Sequence, residues 1–312
     1  MDLKLFAGSA NPGLAEAVAR GLGTPLGACV SERFPDGELH LEIKESVRGD
    51  DVYLMQPTCP PVADHLLELL LLADACRRAG AGVLTAIVPY YGYARQDRRA
   101  KGREPIGARL IADLVEASGI ERVVLIDLHT PASEAFFSVP VEHLSAVHLL
   151  ADAVRPAITA DAIVVAPDLG AVRLAEAYAG LLNLPVATVH KVRLGPEAVQ
   201  VREIVGDVRG RAPLIVDDMI STGHTIAVAV RALLAAGCRP DVTVVVSHGL
   251  FVGPIERVLR DLPVGRVVTT DTVPPRIDLP LPVNVATVAP LLVEAIRRLH
   301  RDESLSELAV HR

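Results

Sequence analysis

The sequence is short of positive charge. Its 312 residues include 31 Lys and Arg against 38 Asp and Glu, which gives a formal net charge of −7. A protein that coats nucleic acid needs clustered Lys and Arg to contact phosphates, so this balance argues against a nucleic-acid partner. A small anionic ligand is compatible with it, because one local basic site can form in an acidic protein.

The sequence also has no long apolar run and no paired cysteines. The longest uncharged stretch, Ala79–Ala94, is interrupted by Gly, Pro and Tyr and is shorter than the ~20 apolar residues of a membrane helix. The first residues lack a basic region followed by an apolar stretch, so no secretory signal is expected. The four cysteines are far apart and form no CxxC motif, which favours reduced thiols. We therefore expect a cytoplasmic protein with no membrane partner.

Half of the residues are hydrophobic, and they recur in short β-branched runs separated by amphipathic segments. Most runs are apolar on both faces, as the strands of a covered parallel sheet must be. This alternation predicts an α/β fold with mostly parallel sheets flanked by helices. The predicted strands are Asp51–Gln56, Val83–Pro89, Val123–Leu128, Ile163–Pro167, Val186–Val189, Leu214–Val216, Val242–Val246 and Val267–Thr270. The predicted helices are Val62–Arg78, Ile106–Ser118, Val172–Leu182, Thr225–Ala236 and Leu291–Arg301.

Two stretches repeat the same order of features. Asp113–His129 and Leu233–His248 each run from a helix through a glycine to a β-rich run that ends in His. This repeat suits two similar domains, which we place at residues 1–145 and 146–312. The last predicted helix carries an apolar stripe on one side, so we expect it to pack back on the first domain.

The segment Leu214–Thr225, with the sequence LIVDDMISTGHT, carries the strongest functional signal. It predicts a buried strand that delivers Asp217 and Asp218 to the edge of a sheet, followed by a Ser/Thr/Gly loop that opens a helix. Backbone N–H groups at a helix start bind phosphate, and the two carboxylates would hold vicinal hydroxyls or a hydrated cation. Phosphate beside a diol indicates a pentose phosphate; a surface turn with an Asp-rich helix cap is the plainer alternative.

This segment resembles the phosphoribosyl diphosphate binding motif that phosphoribosyltransferases share with ribose-phosphate pyrophosphokinases. Arg33–Glu38 and Tyr90–Arg99 are similar to the two nucleotide-contacting stretches of the pyrophosphokinases. Asp127–His129, Ala166–Gly170 and His190–Arg193 match further blocks of that family, in the family's order. The resemblance covers essentially the whole chain, which is identified on it as a member of the ribose-phosphate pyrophosphokinase family.

The resemblance implies two phosphoribosyltransferase-like domains and a diphosphokinase activity. Such an enzyme transfers the β,γ-diphosphoryl group of ATP to the anomeric hydroxyl of ribose 5-phosphate, releasing AMP and making phosphoribosyl diphosphate for nucleotide, histidine and tryptophan biosynthesis. It also implies a homo-oligomer, because in the family the stretch around Phe34 serves the nucleotide site of a neighbouring subunit. A dimer, a tetramer and a hexamer are all compatible with the sequence.

The residues implied to bind ATP are Phe34, Asp36, Gly37, Glu38, Arg95, Gln96, Asp97 and Arg98. Phe34 would stack on the base, while Asp36 and Glu38 would accept hydrogen bonds from an exocyclic amine or the ribose. Arg95 offers a fork of donors that suits polyphosphate. Outside the family pattern, Phe-Pro-Asp-Gly is more often just a turn.

The residues implied to bind ribose 5-phosphate are Arg193, Asp217, Asp218, Ser221, Thr222, Gly223, His224 and Thr225. Two of them depart from the family's usual pattern. Ser221 stands where many bacterial members carry Asp, and it still offers a hydroxyl to phosphate. His224 stands where a second Gly is usual, so its side chain either crowds the loop or adds a donor to the phosphate. We expect the departures to change affinity rather than reaction type.

The resemblance further implies Mg²⁺ as the cofactor, with His129 and Asp168 at the metal site. Asp168 is the more natural ligand, because Mg²⁺ prefers oxygen and usually keeps several waters. His129 either ligates the metal or touches the phosphate or a metal-bound water. A lone His at the end of a strand is otherwise more often structural.

Lys191 and Arg193 are implied to be the catalytic cations. They stand at the start of Val192–Gln200, a segment rich in Gly, Pro and polar residues that we expect to form a loop closing over the substrates. Val192 occupies the position of the family's usual third basic residue.

Two other interpretations stay open at this point. A non-catalytic regulatory relative would bind nucleotide and assemble with active synthetases, but the retained Lys191, Arg193, His129 and Asp168 argue against it. A phosphoribosyltransferase would share the pentose loop without needing the nucleotide-contacting stretches.

Overall fold

The computed structural model describes residues 1–193, 199–276 and 279–309, with only the backbone described at 191–193 and 199–201. The chain divides into two compact units. The first comprises Met1–Ser145, Thr272–Pro274 and the residues from Thr287 on, and the second comprises Ala146–Asp271 and Pro275–Ala286.

The helices and strands of both units follow the α/β alternation of the sequence. The helices are α1 (Pro12–Leu22), α2 (Val62–Arg78), α3 (Gly107–Ala117), α4 (Val147–Val154), α5 (Val172–Leu182), α6 (His224–Ala235), α7 (Ile255–Arg260) and α8 (Ala289–His300). The strands are β1 (Leu3–Ala7), β2 (Cys29–Arg33), β3 (Leu39–Ile43), β4 (Asp51–Met55), β5 (Val83–Val88), β6 (Arg122–Ile126), β7 (Val141–Leu144), β8 (Ala162–Ala166), β9 (Val186–Arg193), β10 (Val199–Val205), β11 (Ala212–Ile220), β12 (Val242–Gly249), β13 (Val264–Thr270) and β14 (Val283–Ala286). Short 3-10 turns cover Pro131–Phe136 and Arg155–Ala157.

The first unit is built on a five-stranded sheet in the order β1-β4-β5-β6-β7, and every neighbouring pair in it is parallel. The strand β4 is buried along its whole length, as expected where helices cover both faces. Parallel pairing brings the carboxyl ends of all five strands to one edge of the sheet. The loops after β5 and β6 therefore lie beside each other.

The strands β2 and β3 form a separate antiparallel hairpin. It does not extend the five-stranded sheet. The segment leading into it is attached to β1 by the Gly27 N–H, which donates to Leu5 O at 2.7 Å, and side chains hold the hairpin itself against α2 and the core. Cys29, Leu41 and Ile43 of the hairpin pack on the apolar core of the first unit.

The last helix, α8, belongs to the first unit and packs on α1. Leu292, Ile296 and Leu299 on its apolar stripe are buried. At its carboxyl end, His300 Nδ1 lies 2.7 Å from Asp51 Oδ2 of β4. This contact ties the end of α8 to the start of a central strand.

The second unit is built on a seven-stranded sheet in the order β10-β9-β8-β11-β12-β13-β14. All neighbours are parallel except β9 and β10, which pair antiparallel at one edge. The predicted α/β fold with two mostly parallel sheets is therefore confirmed.

The two halves share the repeated helix–glycine–strand unit. Gly119 ends the helix before β6 and Gly237 ends the helix before β12, and both have a positive φ, of 100° and 90°. A residue with a side chain would be strained there, because Cβ disfavours left-handed backbone. The matching positions explain why the two sequence stretches look alike.

One prediction on the chain's organisation is wrong in part. The segment Val192–Gln200 was expected to be a loop, but both of its ends are strand, because β9 runs on to Arg193 and β10 starts at Val199. The register pairs Val199 with Arg193 and Gln200 with Val192. Strand pairing satisfies the backbone N–H and C=O groups that a loop would leave to water. Residues 194–198 lie outside the described part of the chain.

Within the described residues, none of the helices combines the length and the apolar character needed to cross a membrane.

Burial of α8 gives a prediction for stability. Ile296→Ala removes a fully buried side chain and should lower the free energy of unfolding by about 2–5 kcal/mol, because it leaves a cavity under α8. Leu110→Ala, at a position that is 54% exposed on α3, is the control and should change it by no more than about 0.5 kcal/mol. Urea unfolding followed by circular dichroism measures both. Equal effects of the two substitutions would contradict the packing of α8.

Candidate active site

The carboxyl edge of the second unit's sheet has a switch point between β8 and β11. The chain leaves β8 toward β9 on one side, then returns to place β11 on the other side. Loops that leave neighbouring parallel strands in opposite directions open a crevice between them, where α/β proteins bind ligands. Asp168 follows β8, and the segment from Asp217 to Thr225 spans the end of β11 and the start of α6.

Three carboxylates interact electrostatically at this switch point. Asp217 and Asp218 are adjacent and half-buried in β11, and the Asp218 backbone N–H donates to Asp217 Oδ1 at 3.0 Å. Burial raises the pKa of Asp217 well above its ordinary value, and repulsion from Asp218 and then from Asp168 adds to this. A carboxylate held against like charges is stabilised by a cation or by a donor from a ligand, so this group is suited to binding.

The loop Ser221–Gly223 joins β11 to α6 by a sharp turn at Gly223. Gly223 has a φ of 77°, and a Cβ there would lie 2.5 Å from Ile255 Cδ1. Glycine is therefore required twice, by the backbone angle and by the space. Gly223 is the N-cap of α6, and no side chain caps this helix start. The amides of the first turn can then donate to a phosphate, which the helix dipole also favours.

His224 does not distort this loop. It is the first residue of α6, it is exposed, and it is not among the residues with positive φ. The positive φ falls on Gly223 instead, so the side chain of His224 does not crowd the turn. Ser221 and Thr225 are half-buried beside it, and Thr222 is exposed.

In the first unit, the loops after β5 and β6 are joined by side chains. Thr130 Oγ1 donates to Asp97 Oδ2 at 2.9 Å, which ties the ATP-binding stretch predicted at Arg95–Arg98 to the loop that carries His129. Arg95 and Arg98 are exposed, and so is His129. The fold therefore brings these predicted residues to one edge, with the cations facing solvent and the carboxylate turned to the protein.

A second set of hydrogen bonds holds the loop of His129. The Leu128 backbone N–H donates to His143 Nε2 at 2.9 Å, and His143 Nδ1 lies 2.6 Å from Glu134 Oε1. His143 is 7% exposed. Because Nε2 accepts a hydrogen bond, the proton of the neutral ring is on Nδ1, where it donates to Glu134.

The hairpin tip carries the predicted base-stacking residue. Phe34 is 45% exposed, and its ring centroid lies 5.0 Å from that of His40 at a tilt of 35°. Gly37 N–H donates to Phe34 O at 2.8 Å and Glu38 N–H donates to Asp36 Oδ1 at 3.1 Å. Asp36 thus also stabilises the turn that presents Phe34.

Lys191 and Arg193 lie in the last part of β9, at the edge where β9 pairs with β10. Their side chains are outside the described part of the structure. Their roles stay predictions.

Several residues that sequence reasoning missed support the site. Thr130, Glu134, His143 and His40 are each one of many polar residues with no recurring pattern around them. His143 is the one with a usable signal, since it ends a short run, Val139–His143, that resembles a strand. Their partners come from other segments, which the spacing of the sequence does not reveal.

A bound metal ion would be coordinated by few protein ligands. Within the described part of the chain, no three His, Cys, Asp or Glu side chains come together as a group that could hold one. Mg²⁺ fits such a site, because it is commonly held by one or two carboxylates together with substrate phosphates and water. The carboxylate repulsion around Asp217 and Asp168 is consistent with a cation nearby.

The fold is that of an α/β protein with two phosphoribosyltransferase-like domains, and the loop after β11 leads into a helix start whose amides can donate to an anion. Sequence comparison carries this further. The N-terminal domain of ribose phosphate pyrophosphokinase matches residues 3–119, and the phosphoribosyl synthetase-associated domain matches residues 196–310.

Full-length relatives agree. A ribose-phosphate pyrophosphokinase of Gloeobacter violaceus is 45% identical over 98% of this chain and 92% of its own length. One of Oceanobacillus iheyensis is 40% identical over 98% of this chain and 97% of its own. The crystal structure of phosphoribosylpyrophosphate synthetase from Mycobacterium smegmatis superposes with a TM-score of 0.90 at 40% identity, covering 97% of this chain and all of that one. The chain belongs to the ribose-phosphate pyrophosphokinase family, and the resemblance seen in the sequence is confirmed.

The burial of Asp217, together with the like charges beside it, predicts a pH-dependent stability. The folded state, with its raised pKa, holds the Asp217 proton more firmly than the unfolded chain. Ionised Asp217 therefore costs stability once the pH exceeds the ordinary Asp value of about 3.9, and the cost grows as pH rises to the folded-state pKa. Asp217→Asn removes this cost and keeps the acceptor for Asp218 N–H. We expect the variant's stability gain over the parent to be larger at pH 8 than at pH 5.

Urea midpoints of both proteins at the two pH values measure this gain. Glu176→Gln, at an exposed position on α5 of the same unit, is the control and should leave the midpoint difference independent of pH. A gain for Asp217→Asn that is the same at both pH values would show that burial and like charge do not destabilise the ionised Asp217 side chain.

Proposed function

We propose that this enzyme transfers the β,γ-diphosphoryl group of ATP to the anomeric hydroxyl of ribose 5-phosphate. The hydroxyl oxygen attacks the β-phosphorus, the bond from that phosphorus to the oxygen bridging the α- and β-phosphates breaks, and AMP leaves. The observation that carries the proposal is the start of α6, which has no side-chain cap and lies beside paired carboxylates at the sheet's switch point. The match to the pyrophosphokinase family along the whole chain supports it.

The second unit binds the pentose in this proposal. The amides of the first turn of α6, with the hydroxyls of Ser221, Thr222 and Thr225, hold the 5-phosphate. Asp217 and Asp218 accept hydrogen bonds from the vicinal hydroxyls of the ring. The raised pKa of Asp217 supports this role, because a donor from the sugar relieves a carboxylate that burial and like charge destabilise.

Residues of the first unit bind ATP in this proposal, and those at the hairpin tip do so in the site of a neighbouring subunit. Phe34 stacks on the adenine, and its exposure and its tilted contact with His40 leave a ring surface for the base. Arg95, Gln96 and Arg98 meet the polyphosphate from the loop after β5. Asp97 orients that loop through its hydrogen bond from Thr130.

Mg²⁺ would be held at Asp168 and His129 together with the phosphates. When bound, it neutralises charge on the transferring group and on the departing nucleotide. His129 lies exposed on its loop, and Asp168 is half-buried with its Oδ1 accepting from the Gly170 N–H at 3.0 Å. That contact fixes the carboxylate and leaves its second oxygen for a ligand.

Lys191 and Arg193 supply the cations that meet charge building up on the transferring group. Transfers of this kind depend on alignment and neutralisation more than on covalent help. The position of both residues near the end of β9, next to the strand that precedes Asp168, supports the assignment.

The proposal includes a homo-oligomer in the cytoplasm, with the hairpin tip serving a neighbouring subunit. The exposed aromatic ring at the tip of a hairpin that stands apart from the five-stranded sheet supports the first part. The four cysteines are free, as suits a reducing compartment.

The test of the function is AMP release from ATP and Mg²⁺, measured with and without ribose 5-phosphate. We expect AMP to form only when the pentose is present, with one phosphoribosyl diphosphate for each AMP. A phosphoribosyltransferase would release no AMP. Nucleotide binding without AMP release would favour a regulatory protein and would refute the proposal.

Lys191→Ala tests the catalytic assignment. Removing one preorganised cation commonly costs about a hundred- to a thousand-fold in rate, so we expect that loss in kcat with a normal unfolding midpoint. Lys44→Ala is a control, because Lys44 pairs with Glu42 next to the hairpin, away from the proposed chemistry. Near-normal turnover of Lys191→Ala would contradict its role.

A further inference from the structure

The hairpin that carries Phe34 rests on a buried carboxylate. Glu68 of α2 is 2% exposed. Its Oε1 accepts from Ser31 Oγ of β2 at 2.6 Å. Its Oε2 accepts from Ser9 N–H at 3.0 Å, from Ser9 Oγ at 2.7 Å and from Gln56 Nε2 at 2.5 Å. One side chain thus joins the loop after β1, the end of β4, α2 and the hairpin.

These four donors are neutral, and they keep the carboxylate ionised. Burial alone would raise the pKa of Glu68, but the hydrogen bonds from Ser31, Ser9 and Gln56 outweigh it and leave the pKa below its ordinary value. A charged acceptor forms stronger and more directional hydrogen bonds than a neutral one. The Ser31 contact is therefore a firm attachment point.

The contact sets the position of β2 along α2. Alternate residues of β2 face the helix: Cys29 packs on the core that includes Cys76, Ser31 donates to Glu68, and Arg33 pairs with Asp64 at 3.0 Å. Two residues of a strand span about 6.8 Å and four residues of a helix about 6 Å, so the two spacings match. A slip of one residue would turn Ser31 and Arg33 away from α2.

Of these three contacts, the one between Ser31 and Glu68 fixes the register. The Arg33–Asp64 pair is about half exposed on both sides, and such pairs contribute little. The packing of Cys29 on the core is apolar and has no preferred direction, and its thiol donates only a long hydrogen bond, of 3.8 Å, to Ala7 O, which is not part of α2. A short hydrogen bond to a buried carboxylate is specific in both distance and angle.

We propose that Glu68 is a positioning residue for the nucleotide, which acts through Ser31 to hold the hairpin so that Phe34, three residues further on, meets the adenine. The inference rests on the proposed function. It adds the pair Ser31 and Glu68, which act on ATP binding through the position of the hairpin and not on the binding of ribose 5-phosphate.

Ser31→Ala is the decisive variant, because it removes the hairpin's donor and leaves Ser9 and Gln56 on Glu68. Loss of a hydrogen bond to a charged group should raise the KM for ATP about three- to tenfold, with the kcat and the KM for ribose 5-phosphate within about twofold. Ser31→Thr keeps the hydroxyl and should restore the KM for ATP.

Ser9→Ala is the matched control. It removes one hydroxyl from the same carboxylate, on the side away from the hairpin, and Ser9 N–H remains as a donor. We expect an unfolding midpoint lowered at least as much as in Ser31→Ala, but an unchanged KM for ATP. This comparison separates a loss of stability from a loss of positioning.

Three outcomes would overturn the inference. If the parent enzyme is active, an unshifted KM for ATP in Ser31→Ala refutes the inference. An equal rise of the KM for ATP and the KM for ribose 5-phosphate in Ser31→Ala also refutes it. So does a rise of the KM for ATP in Ser9→Ala that equals the rise in Ser31→Ala. A parent enzyme that releases no pentose-dependent AMP refutes the proposed function instead, so the two failures are distinguishable.

Discussion

The binding edge of the second unit depends on the parallel pairing of β8 with β11, two strands between which the chain reverses its direction of winding. This pairing brings Asp168 and the Asp217 segment to one crevice, although they are far apart in the sequence. The helix start proposed to bind phosphate lies at the same edge, because the chain passes directly from the end of β11 into α6. Gly223 makes that turn possible within a very short loop.

In the first unit, parallel strands also bring their loops to one edge of the sheet, and side-chain hydrogen bonds hold these loops together. The loops after β5 and β6 end at one edge because their strands are parallel neighbours, yet loops of that length need further restraint. Asp97 and Thr130 supply one tie, and Glu134, His143 and the Leu128 amide supply another. These hydrogen bonds engage the polar groups of the loops that face the protein. The guanidinium groups of Arg95 and Arg98 are left exposed for an anionic ligand.

The sequence predicted an element correctly where the local residue pattern follows directly from the burial or the backbone conformation of that element. The predicted strands were found because buried parallel strands are apolar on both faces, and the repeated helix–glycine–strand unit was visible because Gly119 and Gly237 occupy left-handed backbone. The hairpin β2–β3 was not predicted, because the second half of β2 consists of the polar residues Ser31, Glu32 and Arg33 and is exposed. The start of β10 does alternate apolar and polar residues, as a half-buried strand does, but the Gly195 and Pro196 that precede it favoured a loop.

Two buried or half-buried carboxylates, one in each unit, show how environment separates structural from binding groups. Glu68 is surrounded by donors, and its pKa is lowered. Burial raises the pKa of Asp217, and the like charges of Asp218 and Asp168 raise it further. A satisfied carboxylate gains nothing from a ligand and is suited to holding other elements in place. A destabilised one gains most when a ligand supplies a further donor or a cation, which is the reason for proposing Asp217 as a group that binds the pentose.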